Sequence, residues 1–542
     1  MSHIKPLNLS AIALLVLAGF GATMQAQVST QKEFIAAPLS VVKKVPLTDT
    51  ELKRWSHLDL VKDSIPGMSV DKAYAELLQG KTGKKVIVGI VDSGVDIEHE
   101  DLKGMIWTNP KEIPGNGIDD DKNGFIDDIH GWNFLGDAVH ENLEMTRIVK
   151  KGDDGSPEYK RALLQYDEKY KKLLEDKANV DFYLNANKTI KDLLKKDKYT
   201  LEDLKAINSP DQFILSSKKV MTQVLTNAGS DYEEGLNEYR DYVYDQFNYN
   251  LNKDFDGRKI VGDNPEDIKD TKYGNNIVFG PDKEKALHGT HVAGIIAQIR
   301  NNNLGGDGVA NNVEILTVRA VPDGDEYDKD IALAIRYAVD NGAKVINGSF
   351  GKSFSPQKKW VYEAIKYAGK KDVLIVHAAG NDGYNIDETN NINYPNDSED
   401  NIKEFADNLI TIGAINKVYG ENVVAEFSNF GKINVDVFAP GEEIYATVPN
   451  NKYKYLQGTS MASPNAAGVA TLIRSYYPKL KAKQVKRILM DSGVLLPSML
   501  VLGENPGPGQ EPVAVSSAES SRTAKMVNAY NALLMAEKMS KK

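Results

Sequence analysis

Ser460, His288 and Asp92 are the residues of this chain whose types and settings could together turn a hydroxyl into a nucleophile. Ser460 lies in Gly458-Thr459-Ser460-Met461-Ala462-Ser463-Pro464, where a loop should give way to a helix. A serine hydroxyl attacks poorly unless a base takes its proton and donors stabilise the charge that develops on the substrate oxygen. His288, in His288-Gly289-Thr290-His291, can be the base, and Asp92, in Val91-Asp92-Ser93-Gly94, can orient it. The chemistry would be acyl transfer. Plainer roles exist for each residue taken alone. Ser460 would cap a helix, and His288 with His291 could share a helix face as metal ligands, although a zincin has Glu after its first His and here Gly289 follows. Asp96, His291 and His377 read as structural.

The chain order Asp, His, Ser is that of subtilisin. The three segments resemble the motifs of the subtilisin-like serine peptidases, the subtilases, and Ala378-Ala379-Gly380-Asn381 is similar to that family's oxyanion-hole segment. The resemblance covers roughly residues 81–135 and 280–495 and includes a final helix near 526–533. It implies a serine endopeptidase in which Asn381 donates to the oxyanion beside the Ser460 N–H. Gly348, Ser349, Phe350 and Gly351 resemble the extended segment that pairs with the substrate backbone, and Ala378, Ala379 and Gly380 would line the same site. The partners implied are protein or peptide substrates, and no cofactor is required for the chemistry.

The elements that must hold these residues follow from hydrophobic patterning. Val86–Val91 is an apolar run ending at Asp92, as in a buried parallel strand with a site residue at its carboxyl end. Runs at 313–318, 344–347 and 373–376 read as further strands, with an amphipathic helix over 331–340 between two of them. Strand and helix in this alternation predict an α/β fold, a doubly wound, mainly parallel sheet with helices on both faces. The segment 67–78 reads as a lead-in helix, and 502–522, rich in Gly, Pro and Ser, as a loop.

Asp92 and His288 are 196 positions apart, so a large insertion lies between them. Residues 156–250 carry Lys, Glu, Leu and Tyr at helical spacing, which predicts a helical decoration or a wall that restricts access to Ser460. Two acidic loops flank it. Asp119, Asp121 and Asn123 stand at positions 1, 3 and 5 of an EF-hand-like start with Gly124 at 6, and Asp127 or Asp128 would close a Ca²⁺ shell where the usual Glu at position 12 is replaced by His130. Asn252, Asp254 and Asp256 repeat the alternation, with Asp263 at position 12. Structural Ca²⁺ is therefore expected at the first loop and, more weakly, at the second.

The chain has 542 residues, a net charge of −10 and no cysteine. The charge and the lack of a basic stripe argue against nucleic acid as a partner, and no disulfide framework or thiol chemistry is available. Residues 1–26 have the layout of a secretory signal peptide: Lys5, an apolar run over 11–20, and small residues up to Ala26. No later run is long enough to span a membrane, so the mature chain is expected outside the cytoplasm, secreted or in the periplasm or cell envelope. The organisation read from sequence is a leader at 1–26, a short extension or propeptide at 27–54, peptidase segments at 55–135 and 280–542, and the insertion with its acidic flanks at 136–279.

Overall fold

The computed structural model describes residue 34 and residues 46–229, 232–399, 402–503 and 513–541. The leader and most of the 27–54 extension lie outside the described residues. Asp49–Arg54, at the end of that extension, is a helix opened by a Thr48/Glu51 capping box. Arg54 pairs with Asp71 at 2.8 Å and Asp307 at 2.5 Å, and Trp55 is buried, so this stretch is docked on the body of the protein. The helix expected at 67–78 forms as Val70–Ala73, continued by a wider turn over Tyr74–Leu78.

Strands β1 (Val86–Asp92), β2 (Gly131–Asn133), β3 (Val313–Arg319), β4 (Val345–Gly348), β5 (Leu374–Ala378), β6 (Leu409–Ile415) and β7 (Val437–Pro440) come first along the chain. A hairpin, β8 (Ile444–Val448) and β9 (Lys452–Leu456), follows, then β10 (Val494–Leu495), the pair β11 (Met499–Val501) and β12 (Ala514–Ser516), and β13 (Lys525–Met526). Nine of these form one sheet in the order β10-β13-β7-β6-β5-β4-β1-β3-β2, parallel throughout except at the β10 edge.

Both faces of the sheet are covered, which is why its strands are apolar runs without alternation. Val86, Val88 and Ile90 face one core with Val292, Ile296 and Met461, while Val91 faces the other with Ile331, Ile335 and Ile365. The first core is closed by the helices Leu287–Ala297, Thr459–Tyr476, Ala482–Asp491 and Ala529–Ser540, the second by Asp328–Asp340 and Lys358–Lys370. This is the doubly wound arrangement expected. The terminal helix begins later than the sequence suggests, because Met526 pairs with Phe438 of β7 and is drawn into the sheet. The chain runs from β1 to β3 on one side and then to β4 on the other, so the carboxyl ends of β1, β3 and β4 open a crevice at a topological switch.

The insertion is helical, as its spacing predicts. Its main helix, Pro157–Leu194, starts with proline after Ser156, whose side chain accepts the Tyr159 N–H, and over 38 residues it extends about 57 Å. Gln212–Ala228 and Tyr232–Asp245 pack along it. Two separate cores result. The near one joins Met145, Tyr166, Leu173 and Val243 to Phe354 of the sheet domain, whereas the far one, with Ile190, Leu204, Met221 and Leu225, is made wholly of insertion residues. A cavity made in the far core should therefore loosen only the far half. Ile190→Ala should cost about 2–5 kcal/mol there. In hydrogen exchange, faster exchange confined to the 186–228 region is expected, and an equal change in β1 and β5 would show that the insertion and the sheet unfold as one unit.

Candidate active site

Asp92 is the last residue of β1, Val91 lies opposite Gly348 of β4, and Gly348 lies opposite His377 of β5. The loops after these three strands therefore leave the sheet side by side. The Asp92 side chain is buried, accepts the Ser93 N–H at 2.7 Å, and holds His288 Nδ1 at 2.7 Å from Oδ1. His288 is the second residue of its helix, and Gly289 after it explains the close approach. A Cβ there would sit 2.1 Å from the Gly94 carbonyl and 3.1 Å from Asp92. Burial pulls the His288 pKa down, but the charge and hydrogen bond of Asp92 outweigh it and the net shift is upward from 6.5. The ring keeps 38% of its side-chain surface exposed and borders a cleft of about 440 Å³.

Ser460 sits in the first turn of the Thr459–Tyr476 helix, where backbone N–H groups have no intrahelical acceptor. Short polar links fix that turn against the sheet. The Ser349 hydroxyl donates to the Ser460 carbonyl at 2.8 Å, and Ser463 Oγ donates to Asn347 Oδ1 at 2.8 Å. Ser460 Oγ itself donates to the Ser349 carbonyl at 3.3 Å and is turned toward β4 rather than toward His288. Asn381 follows β5 through Gly380, which takes a φ of +100° that a side chain would resist. Its Oδ1 accepts both the Thr459 N–H at 2.8 Å and the Thr459 hydroxyl at 2.9 Å. With its oxygen held, the amide Nδ2 is the group left to face the cavity. That cavity, about 340 Å³, is bordered by Ser460, Asn381, Gly380 and Ala378, while Ala379 is buried behind it.

The Gly348–Gly351 segment runs between the two openings, with Phe350 and Gly351 bordering both. His291 is structural: its Nε2 lies 3.0 Å from the Ile444 carbonyl and 3.1 Å from that of Lys454, and burial pushes its pKa down to about 3. With Nδ1 of His288 on Asp92 and Nε2 of His291 on two carbonyls, the pair does not converge on a metal. His377 bonds the Phe350 carbonyl at 2.7 Å, and Asp96 accepts the Asn450 N–H at 2.9 Å. Sequence reading missed Thr459, although it stands in the Gly-Thr-Ser run, and missed Leu143, Met145 and Lys169, which bring the insertion to the rim of the Ser460 cavity.

The first acidic loop gathers oxygens, but not the full expected set. Asp119 and Asp121 converge with Glu112, one carboxylate oxygen from each lying within 4.8 Å of the others. Glu112 is buried, its Oε1 accepts the Asp121 N–H at 3.1 Å, and its Oε2 is sealed from solvent without a hydrogen-bond partner. Asn123 stays beside them, with its oxygen on the Phe125 N–H and its amide on Asp128. Asp127 and Asp128 are engaged by other donors. Asp127 accepts the N–H groups of Gly115, Asn116 and Gly117, and Asp128 is bonded by Asn109, Asn123 and the Tyr337 hydroxyl. Among the described residues the second loop brings no three carboxylates together. Asn252 caps Asp254 N–H, Asp256 lies 3.8 Å from Lys259, and Asp263 is held in buried ion pairs by Arg258 and Lys329.

An Asp–His pair, a serine at a helix N-terminus and a held amide, all at one set of parallel strand ends, form the layout of the serine-nucleophile α/β class. The chain belongs to the subtilase family, whose family model matches residues 83–516. It is 32% identical over 315 residues to Subtilisin-like protease 1 of Plasmodium falciparum, covering 55% of this chain and 44% of that one. To the Thermophilic serine proteinase of Bacillus sp. strain AK1 it is 37% identical over 250 residues, covering 44% and 56%. To Subtilisin DY of Bacillus licheniformis it is 37% identical over 219 residues, covering 40% and 74%. The chain thus spans about half the length of the first two of these relatives.

The Asp92–His288 contact makes a spectroscopic prediction. Asp92→Asn removes the charge that raises the His288 pKa and leaves the burial that lowers it. The ring should then titrate below 6.5 instead of above it, as read by NMR of the imidazole. An unchanged titration would remove the pair.

Proposed function

We propose that the protein is a serine endopeptidase that hydrolyses peptide bonds through an acyl-enzyme on Ser460. The observation that carries the reading is the Asp92–His288 hydrogen bond of 2.7 Å beside a serine whose neighbour Thr459 holds the Asn381 amide. In this reading a substrate strand adds along Gly348–Gly351, and one of its N–H groups competes for the Ser349 carbonyl. Ser460 Oγ, displaced from that carbonyl, turns to His288. The imidazole accepts the Ser460 proton as Oγ attacks the peptide carbonyl, and returns it to the leaving amine. Asp92 keeps the Nδ1–H tautomer and stabilises the imidazolium. Asn381 Nδ2 and the Ser460 N–H receive the oxyanion, a contribution of about 3–4 kcal/mol for the side-chain donor in subtilisin, the type case. Water then repeats the sequence on the acyl-enzyme. Ser460→Ala should lower kcat by about 10⁶, the loss known for the nucleophile of subtilisin, with melting unchanged because the hydroxyl makes one long hydrogen bond. A residual rate within tenfold of the parent would discard the assignment.

Export fits the same reading: residues 1–26 have the layout of a signal peptide, and no described helix is long and apolar enough to cross a membrane. Secretion, or a place in the cell envelope, is proposed on that layout.

A structural Ca²⁺ held by Glu112, Asp119 and Asp121 is the second part of the proposal. Three hard oxygen donors converge, and the partnerless buried Glu112 Oε2 is the oxygen that a cation would satisfy. Binding at a hundred times the dissociation constant would add about 2.7 kcal/mol of stability. Excess chelator should therefore lower the melting temperature and expose the 111–128 loop to proteolysis. Glu112→Gln should weaken the response to added Ca²⁺, and a melting temperature indifferent to both calcium and chelator would dismiss the site.

A further inference from the structure

We propose that the cleft beside His288 takes a lysine or arginine side chain of the substrate, N-terminal to the scissile bond, and that Glu326 selects it. The inference rests on the peptidase reading above. A strand lying along Ser349–Gly351 sends alternate side chains to opposite sides. One side is the 340 Å³ cavity of Ser460 and Asn381, and the other is the 440 Å³ cleft of His288, whose wall includes Glu326. If the residue whose carbonyl is attacked fills the first, the residue two or four positions before the scissile bond reaches the second.

Glu326 is only 3% exposed, yet among the described residues its carboxyl has no side-chain hydrogen-bond donor and no cation within ion-pair distance, and only its own backbone N–H serves it. Its neighbours' charges are already engaged. Lys352 binds Glu144 at 2.8 Å and Asp328 at 3.1 Å and reaches only the backbone carbonyl of Glu326, as does Arg147, whose charge is on Glu144. Five carboxyl groups, Glu141, Glu144, Asp325, Glu326 and Asp328, thus pack around Arg147 and Lys352, with Arg258, itself paired to Asp263 and Asp330, also facing Glu141. Neither basic group on the cleft wall is within ion-pair distance of Glu326, although the charge of Arg319 stays in the cleft. Arg319 is bonded to the carbonyls of Ser93, Gly136 and Ala138, and Lys285 faces Asp245 at 3.5 Å. A buried carboxyl without a charged partner is costly, and burial pushes that of Glu326 up to about 8. An arriving ammonium or guanidinium group would relieve that cost and find a desolvated, directional acceptor.

The test uses the full chain carrying Ser460→Ala and labelled peptides that differ only in lysine or norleucine at the second or fourth position before the intended scissile bond. Fluorescence anisotropy should show the lysine peptide binding at least tenfold more tightly, and adding Glu326→Gln should bring the two within twofold. Equal affinity for the two peptides would overturn the proposal. Should Glu326→Gln fail to fold, the lysine and norleucine comparison in the unaltered cleft still decides. The active chain, given a positional peptide library, separates the two readings: cleavage without basic preference overturns the subsite and leaves the peptidase, while selective binding without cleavage supports the subsite and overturns the peptidase.

Discussion

The parallel register of β1, β4 and β5 is the constraint on which the rest of the site depends. With Val91 opposite Gly348 and Gly348 opposite His377, the loops carrying Asp92, Ser349 and Asn381 leave the sheet at one level. In strands buried on both faces, alternation of polar and apolar residues cannot fix that register, and something else must. Gly89 is one such device. A Cβ at that position would come within 3.0 Å of Ala338, so the Asp328–Asp340 helix settles over this notch and not over its larger neighbours. The helices then carry His288 and Ser460 to strand ends whose positions are already set.

Polar links of short reach convert this coarse placement into a site. Ser349 ties β4 to the Ser460 carbonyl, Ser463 ties the same helix to Asn347, and Thr459 holds Asn381 by two hydrogen bonds to one oxygen. Each is worth about 1 kcal/mol in stability, which is little, but leaving the buried partners Thr459, Ser463, Asn347 or Ser349 unpaired would cost about 1–3 kcal/mol. The penalty for misplacement therefore exceeds the gain from the bond. That asymmetry is what holds the Thr459–Ser463 turn against the ends of β4 and β5 in one geometry.

Legibility in the sequence followed the same hierarchy. The sheet, its helices and the helical insertion could be read because each shows a local pattern, an unbroken apolar run as in Val86–Val91 or helical spacing as in Tyr159, Leu163, Tyr166 and Tyr170. The segments carrying Asp92, His288, Ser460 and Asn381, which the fold brings to neighbouring strand ends, stand out in the sequence because their short Gly-rich settings are unusual. What could not be read depended on contacts between distant segments. Glu112 lies seven positions before Asp119, outside any loop template, and is brought in by backbone hydrogen bonding to Asp121. Asp127 matched the template by position, yet with a φ of +52° its carboxylate turns to the amides of Gly115 to Gly117. Met526 has the composition of a helix start and was captured by a strand that only the folded sheet supplies.

Beside its apolar contact at Phe354, the insertion is joined to the sheet domain by ionic contacts of two very different strengths. At its root, Glu144 and Arg147 interlock with Lys352 and the backbone of Asp325 and Glu326, nearly all of it out of water. Such a network adds little net stability over an apolar packing of equal volume, but removing one partner costs about 3–5 kcal/mol, so it acts mainly to hold one geometry. The segments it fixes, after β3 and after β4, are the two that flank the cleft. Farther out the ties are half-exposed or exposed pairs: Lys454 with Glu234 and Glu238 at 3.3 Å, and Lys285 with Asp245 at 3.5 Å. Pairs of that kind contribute about 0–1 kcal/mol each and weaken with salt. Motion of the insertion thus has a low cost at its outer helices and a high cost at its root. The root belongs to the wall of the cleft, and the outer half is the part that can shift without breaking buried ion pairs.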